Sequence, residues 1–469
     1  MRHAVGAMSL PAKDGIEARF ATYVAGLSEV IGDARRAAPL RDYCTGLVMP
    51  GERKSVEPMA AITAPERVAA QHQSLLHFVG NSPWSDEQVL SKVRDMVLPA
   101  IERHGPIEAW IIDDTGFPKK GRHSVGVSRQ YCGQLGKQDN CQVAVTMSIA
   151  NHGASLPISF RLYLPQDWAA DAARRHEAGV PATIEFQTKP EIALAQLRAA
   201  LAANIARGIV LMDAGYGNNT RLRTEISELG LPYVAGILSN TTVWTASTLD
   251  RPIQVKDLAY SLPAEAWQNI AWREGSADWL SSRFARVRVR AAHRDTKARS
   301  EAASQSRAEE WLLIEWPAHE RDPTKYWLAT LPEDITFECL VDFAKLRWRI
   351  ERDYHDLKQE VGLDHFEGRR WRGFHHHATL CIATYGFLIS ERETIPPSAL
   401  SSSGFFAPSA LPQNYRPRGA ADPNPAPHPK LHRHNAQLPR CRSRQAPVAM
   451  PVLRRATTKN RAQTSDMTQ

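Results

Sequence analysis

An α/β fold, a mixed sheet flanked by helices, is the fold class this 469-residue sequence predicts. Two short apolar runs, AWIIDD (109–114) and IVLMDAGYG (209–217), have the length of buried strands, and each runs into acid at its end. Between them, 142–150 and 156–164 alternate around the turn residues Asn151, His152 and Gly153, as paired strands do. A helical pattern across 190–206, with Pro190 near its start, and another at 219–229 separate the later strands 209–213 and 233–238. The resulting βββαβαβ order is that of a sheet with crossover helices.

The flanks of this core differ in texture. Residues 1–105 carry short amphipathic helices, at 15–32 and 86–105 among others, broken by Pro50, Gly51, Pro58 and Pro65. Over 86–105, Val89, Val93, Met96, Val97 and Ile101 recur at helical spacing between an acidic first turn and Gly105. Residues 106–239 hold the first part of the core. A strand-rich, Trp-rich interruption at 240–330 follows, containing Trp244, Trp267, Trp272, Trp279 and the run RFARVRVR. Residues 331–395 resume the core with a long helix across about 336–361 and a second at 375–392. From 396 to 469 both periodicities vanish and twelve of the chain's 31 prolines gather, a composition that predicts disorder.

A chain of this length exceeds what one hydrophobic core serves, so two or three domains are expected. No run of about 18 apolar residues predicts a membrane span, and the first residues lack a signal-peptide core. Six scattered cysteines with no C-x-x-C pair argue against a zinc or disulfide framework and for reduced thiols in a cytoplasm. The net charge of +8 belongs to the tail, where eleven Lys and Arg face two Asp. The first 395 residues are then close to neutral, so DNA binding by the folded body must come from local patches.

Chemistry concentrates in RWRIERDYHDLK (347–358). Glu351 lies four residues after Arg347, and Lys358 seven after Glu351, so all three project from one helical face. A carboxylate can hold a hard divalent cation and the flanking cations can hold phosphates. The plain alternative is a solvated helix with ordinary ion pairs. Asp114 and Asp213, each at a strand's carboxyl end where α/β sheets collect ligands, supply two more acids that could converge with Glu351. Three carboxylates binding two Mg²⁺ ions would activate a nucleophile and stabilise the leaving oxygen in phosphoryl transfer.

Taken together, these motifs resemble those of the DDE transposases of bacterial insertion sequences, in the branch with a Tyr-x2-Arg-x3-Glu-x6-Lys signature. Arg347, Glu351 and Lys358 match at the family spacing; Ala344 stands at the Tyr position, with Phe343 one residue earlier. DDTGFP (113–118) resembles the first-Asp motif, in which the metal ligand precedes Thr, favouring Asp114 over Asp113. LMDAGYG (211–217) resembles the second and points to Asp213. The resemblance implies an RNase H-like core with a mostly β insertion before the catalytic helix. It also implies Mg²⁺ as cofactor (two ions, with Mn²⁺ as a substitute) bound by Asp114, Asp213 and Glu351. Its partners would be double-stranded DNA, as transposon terminal inverted repeats and target, and a second copy in a synaptic homodimer. The helical N-terminal region is then the candidate for end recognition. The rival readings are an RNase H-like nuclease without strand transfer and a transposase-derived, non-catalytic DNA-binding protein.

Secondary candidates carry two readings each. Lys119, Lys120 and Arg122, and the basic turn Arg369, Arg370, Trp371 and Arg372, could touch DNA phosphates or simply face water. His375, His376 and His377 point to different faces of a helix, which suits a solvated helix start or phosphate contact better than a metal site. Gly215, Tyr216 and Gly217 would allow a tight turn beside Asp213. Most of the insertion's tryptophans are expected in the core, although one could stack on a flipped base.

Overall fold

The computed structural model describes residues 15–245, 251–274, 279–292 and 308–394; the proline-rich tail lies outside them. One mixed sheet organises the molecule. Its first strands are β1 (Ala109–Pro118), β2 (Ser128–Cys132), β3 (Lys137–Ala150), β4 (Ser155–Leu162), β5 (Ile209–Met212) and β6 (Tyr233–Ile237). β3 pairs antiparallel with β1 and with both β2 and β4, while β1, β5 and β6 run parallel. The order β4-β3-β1-β5-β6, antiparallel on one side of β1 and parallel on the other, is that of an RNase H-like core.

Strand alternation gives the sheet two buried faces. Ala109 and Ile111 point to one hydrophobic cluster with Phe337, Leu340, Phe343 and Ile350. Trp110 and Ile112 point to the other, with Ile192, Leu197 and Met212. Caps fix the helices at their ends. Thr188 and Glu191 form a reciprocal capping box on Lys189–Ala202, with Pro190 in its first turn, and Thr336 caps Phe337–Leu346. The helix expected across 336–361 is divided at Arg347 into Phe337–Leu346 and Trp348–Gln359. There the Ile350 N–H bonds three residues back, to the Arg347 carbonyl, so a tighter turn interrupts the α-helical ladder.

The strand-rich interruption extends the same sheet. β7 (Thr242–Trp244), β8 (Ile253–Gln254), β9 (Gln268–Glu274), β10 (Trp279–Ala291), β11 (Glu310–Glu315) and β12 (Lys325–Ala329) continue it from β6 through β12, β11 and β10. Trp244, Trp311 and Trp327 are buried, as expected of core tryptophans, whereas Trp279 at the start of β10 is exposed.

Five N-terminal helices, Ile16–Ser28, Ala37–Val48, Val56–Thr63, Val68–Gly80 and Asp86–Glu102, pack with the long helix Trp371–Thr394. That last helix is buried around nearly its whole circumference, polar residues included, the pattern of a helix enclosed by others. Tyr23 donates to the Ala383 carbonyl at 2.8 Å, and Phe20 meets Phe387 edge to face. The solvated reading of the three histidines fails here. His375, His376 and His377 are all buried, and each ring has protein partners. His376 stacks on Trp84 and lies 3.0 Å from both the Val79 and Trp84 carbonyl oxygens. His377 bridges the Tyr43 hydroxyl and the Gly362 carbonyl, and His375 accepts from the Leu162 N–H. Burial pushes the pKa of His376 and His377 down to about 4, so both rings are neutral struts.

Candidate active site

The parallel pairing of β1 with β5 sets Ile112 beside Met212, its last pair, so Asp113 in mid-strand and Asp213 just past β5 follow side by side. β1 itself continues to Pro118, and neither Asp113 nor Asp114 stands at its carboxyl end as expected. Asp213 immediately caps a short turn, accepting from the Tyr216 N–H at 3.2 Å. The turn lies so close to β6 that a Cβ on Gly217 would collide with the Gly236 carbonyl, which explains the glycine. Arg347, at the junction of the two helices, donates to Asp113 at 2.6 Å and to Glu351 at 2.5 Å. One guanidinium thus ties β1 to the Trp348–Gln359 helix.

Asp113 and Asp114 point to opposite faces, and the structure separates their partners. Asp113 keeps the Ile111 side, with Arg347 and within the field of Asp213. Asp114 takes the Ile112 side, where Lys189 donates to it at 3.0 Å and the Tyr216 hydroxyl at 3.3 Å. The motif-based preference for Asp114 therefore meets a geometry in which Asp113 shares a guanidinium with Glu351. Strand alternation is the reason: a one-residue step along β1 changes the face.

Electrostatically the Asp113 site is under-compensated. Burial raises the Asp113 pKa to about 7, and neighbouring Asp213 and Asp114 add to the rise against the opposing Arg347. Arg347 has its own pKa raised, because Asp113, Glu351 and Asp213 outweigh the burial that opposes its charge. Tyr354, reaching from the Trp348–Gln359 helix to the Thr146 hydroxyl, closes the back of the site; burial pushes its phenol well up and Asp113 adds to this. Glu351 is the open side, with 62% of its side chain exposed. Among the described residues no three His, Cys, Asp or Glu stand close enough to grip one ion together. The donor set still suits a hard cation: oxygen ligands only, crowded anions, and one exposed carboxylate that can swing.

The remaining site candidates divide. Lys358 does not share the open face with Glu351. It is buried, donates to the Gly116 carbonyl at 2.8 Å and to Gln134 at 3.2 Å, and lies over the Phe117 ring. Its ammonium secures the helix to β1. Lys119 is likewise engaged, donating to the Phe366 carbonyl at 2.9 Å, while Lys120 is exposed. Arg369 and Arg370 are exposed, and Arg372 donates to the Asn81 carbonyl at 2.9 Å. Lys189, the Tyr216 hydroxyl and Tyr354 were not singled out for these contacts. Only Lys189 left a signal, as the first residue of a helix with a Thr-Lys-Pro-Glu capping sequence.

An acid inside β1, a second just past β5 and a third on a helix across the sheet, in an RNase H-like strand order, are an arrangement suited to carboxylate-type phosphoryl transfer. Family comparison gives the same class. A model described as "DDE superfamily endonuclease" matches residues 26–278, and a "Transposase DDE domain" model matches residues 188–387. The chain belongs to the DDE superfamily and carries a transposase DDE domain. It is 27% identical, over 71% of its own length and 77% of the relative's, to the probable transposase for insertion sequence element IS701 of Microchaete diplosiphon.

Proposed function

We propose that this DDE enzyme is an insertion-sequence transposase that cleaves DNA at the element's ends and joins the freed 3′ end to target DNA. Asp113, Asp213 and Glu351 hold its divalent cations. The observation that carries the reading is the convergence on Arg347: Asp113, one residue past the last β1–β5 pair as Asp213 is, and the helix acid Glu351 share one guanidinium. Bound there, two Mg²⁺ ions would lower the pKa of an attacking water or 3′-hydroxyl and stabilise the departing oxygen. Asp113 and Asp213 sit on the rigid sheet and fix the position, while exposed Glu351 closes onto it from the helix. Arg347 then has a second role open to it, since ligation of Asp113 and Glu351 frees its fork for a phosphate. Asp114, held by Lys189 and Tyr216, orients the neighbouring loop. The N-terminal helices and the exposed Arg369 and Arg370 are the surfaces offered to the terminal repeats, and two copies would hold two ends.

The test is Mg²⁺-dependent cleavage and joining of duplexes taken from the DNA that brackets the gene. Asp113→Asn, Asp213→Asn and Glu351→Gln should each lose cleavage, and Asp114→Asn should retain most of it. Loss in Asp114→Asn with retention in Asp113→Asn would restore the motif-based assignment. Cleavage without joining of paired ends would make the protein a nuclease.

A further inference from the structure

The insertion reaches back to the catalytic helix at one point. Arg273 of β9 lies over the indole of Trp348, its guanidinium carbon 3.9 Å from the ring centroid, while Arg349 approaches the same ring at 5.0 Å. Its Nε is buried without a hydrogen-bond partner. The charged groups in its field are Arg352, a like charge, and Glu351. Arg352 is only loosely neutralised, 3.3 Å from Asp356 with 43% of its side chain exposed. A guanidinium fixed on Trp348, with Arg349 at the same ring and the like charge of Arg352 offset by Glu351, is an arrangement that an anion would stabilise. The stacked guanidinium is also pre-oriented, so little rotamer freedom remains to be lost on binding. A phosphodiester presents the paired oxygens that such a fork accepts.

We propose that Arg273, carried by the β insertion and laid on Trp348, grips a DNA backbone phosphate beside Glu351, with Arg352 as the second jaw. This rests on the reading of Glu351 as part of the cleavage site. It gives the insertion a direct share in substrate positioning, through a residue 78 positions before the acid it serves. The Trp348–Arg273 stack also accounts for the tryptophan in the catalytic helix, which otherwise would be a half-exposed indole without a task.

The experiment measures binding of a fluorescein-labelled duplex from the gene's flanks by anisotropy, in Ca²⁺ and across a range of NaCl. Arg273→Ala should lower the slope of log K against log[salt] by about 0.9, the loss of one phosphate contact, and leave the thermal midpoint in place. Arg273→Lys should recover most of the slope, because the charge returns, with weaker binding because the fork does not. An unchanged slope in Arg273→Ala, or a lost slope that lysine does not restore, would overturn the proposal. Glu351→Gln serves as the reference, keeping the slope while losing Mg²⁺-dependent cleavage. If wild type shows no cleavage yet the Arg273 difference persists, the phosphate grip stands and the cleavage reading falls.

Discussion

The histidine run 375–377 and the acid pair 113–114 are both strings of adjacent polar groups, and the protein treats them in opposite ways. Each histidine ring has a carbonyl, hydroxyl or N–H partner from the protein, that of His375 coming from Leu162 of β4, and burial keeps His376 and His377 neutral. Asp113 is only partly buried, with 14% of its side chain exposed, and stands among other acids, where a single guanidinium does not prevent its pKa from rising to about 7. A polar cluster fully satisfied by protein is architecture. One whose charge remains unbalanced is prepared for a cation or substrate.

The largest effect that follows is on catalysis. Glu351→Gln or Asp213→Asn should reduce cleavage about 10³-fold, about 4 kcal/mol in barrier, with the thermal midpoint unchanged or raised as anionic crowding falls. His376→Ala should do the reverse. Removing a stacked ring and the one N–H that a neutral His376 offers to the Val79 or the Trp84 carbonyl should cost about 2–4 kcal/mol of stability, measured by urea unfolding, without changing Mn²⁺ affinity by calorimetry. A histidine variant that lost Mn²⁺ binding while keeping its stability would break the comparison. Lys358→Met tests the boundary between the two behaviours. As a strut it should cost about 1–3 kcal/mol of stability through the orphaned Gly116 carbonyl and leave the DNA salt slope unchanged; a phosphate-gripping Lys358 would give the opposite pair of results.

Much of this was legible in the chain. The strands leading into Asp113 and Asp213, the capped helix at 189 and the strand-rich insertion follow from periodicity and local caps, which are short-range signals, although β1 runs past its acids to Pro118 instead of ending at them. Three features were not. Which of Asp113 and Asp114 faces Glu351 depends on the pleat phase of β1, and adjacent acids give no pattern that fixes it. The burial of Lys358 depends on Gly116 and Gln134 arriving from distant segments. The histidines look solvated because a His run has no apolar moment, yet the N-terminal helices, nearly 300 residues earlier in the chain, supply the Val79 and Trp84 carbonyls that enclose His376. Spacing reported which residues were available; tertiary partners decided what each was for.

The smallest expected effect is on pH dependence, where the two halves should respond with opposite signs. His376 and His377 titrate near 4 when folded and near 6.5 when unfolded, so the unfolded chain binds more protons between these values. Their contribution is complete above about pH 6.5 and is lost as pH falls toward 4. His152 behaves inversely. Burial opposes its charge, but hydrogen bonds at 2.5 Å to both Asp342 and Glu108 outweigh that and hold its pKa up to about 10. The charged bridge from the β3–β4 turn to the Phe337–Leu346 helix is therefore complete below about pH 6.5 and weakens as pH rises toward 10. Urea midpoints measured from pH 4 to 10 should trace two limbs meeting near neutrality. His152→Gln should flatten the alkaline limb alone, because its partners lie on the sheet side. His377→Gln should flatten part of the acid limb alone. If either substitution changed both limbs, the helical half and the sheet would be titrating as one network, and the contrast between satisfied struts and charged ties would not hold.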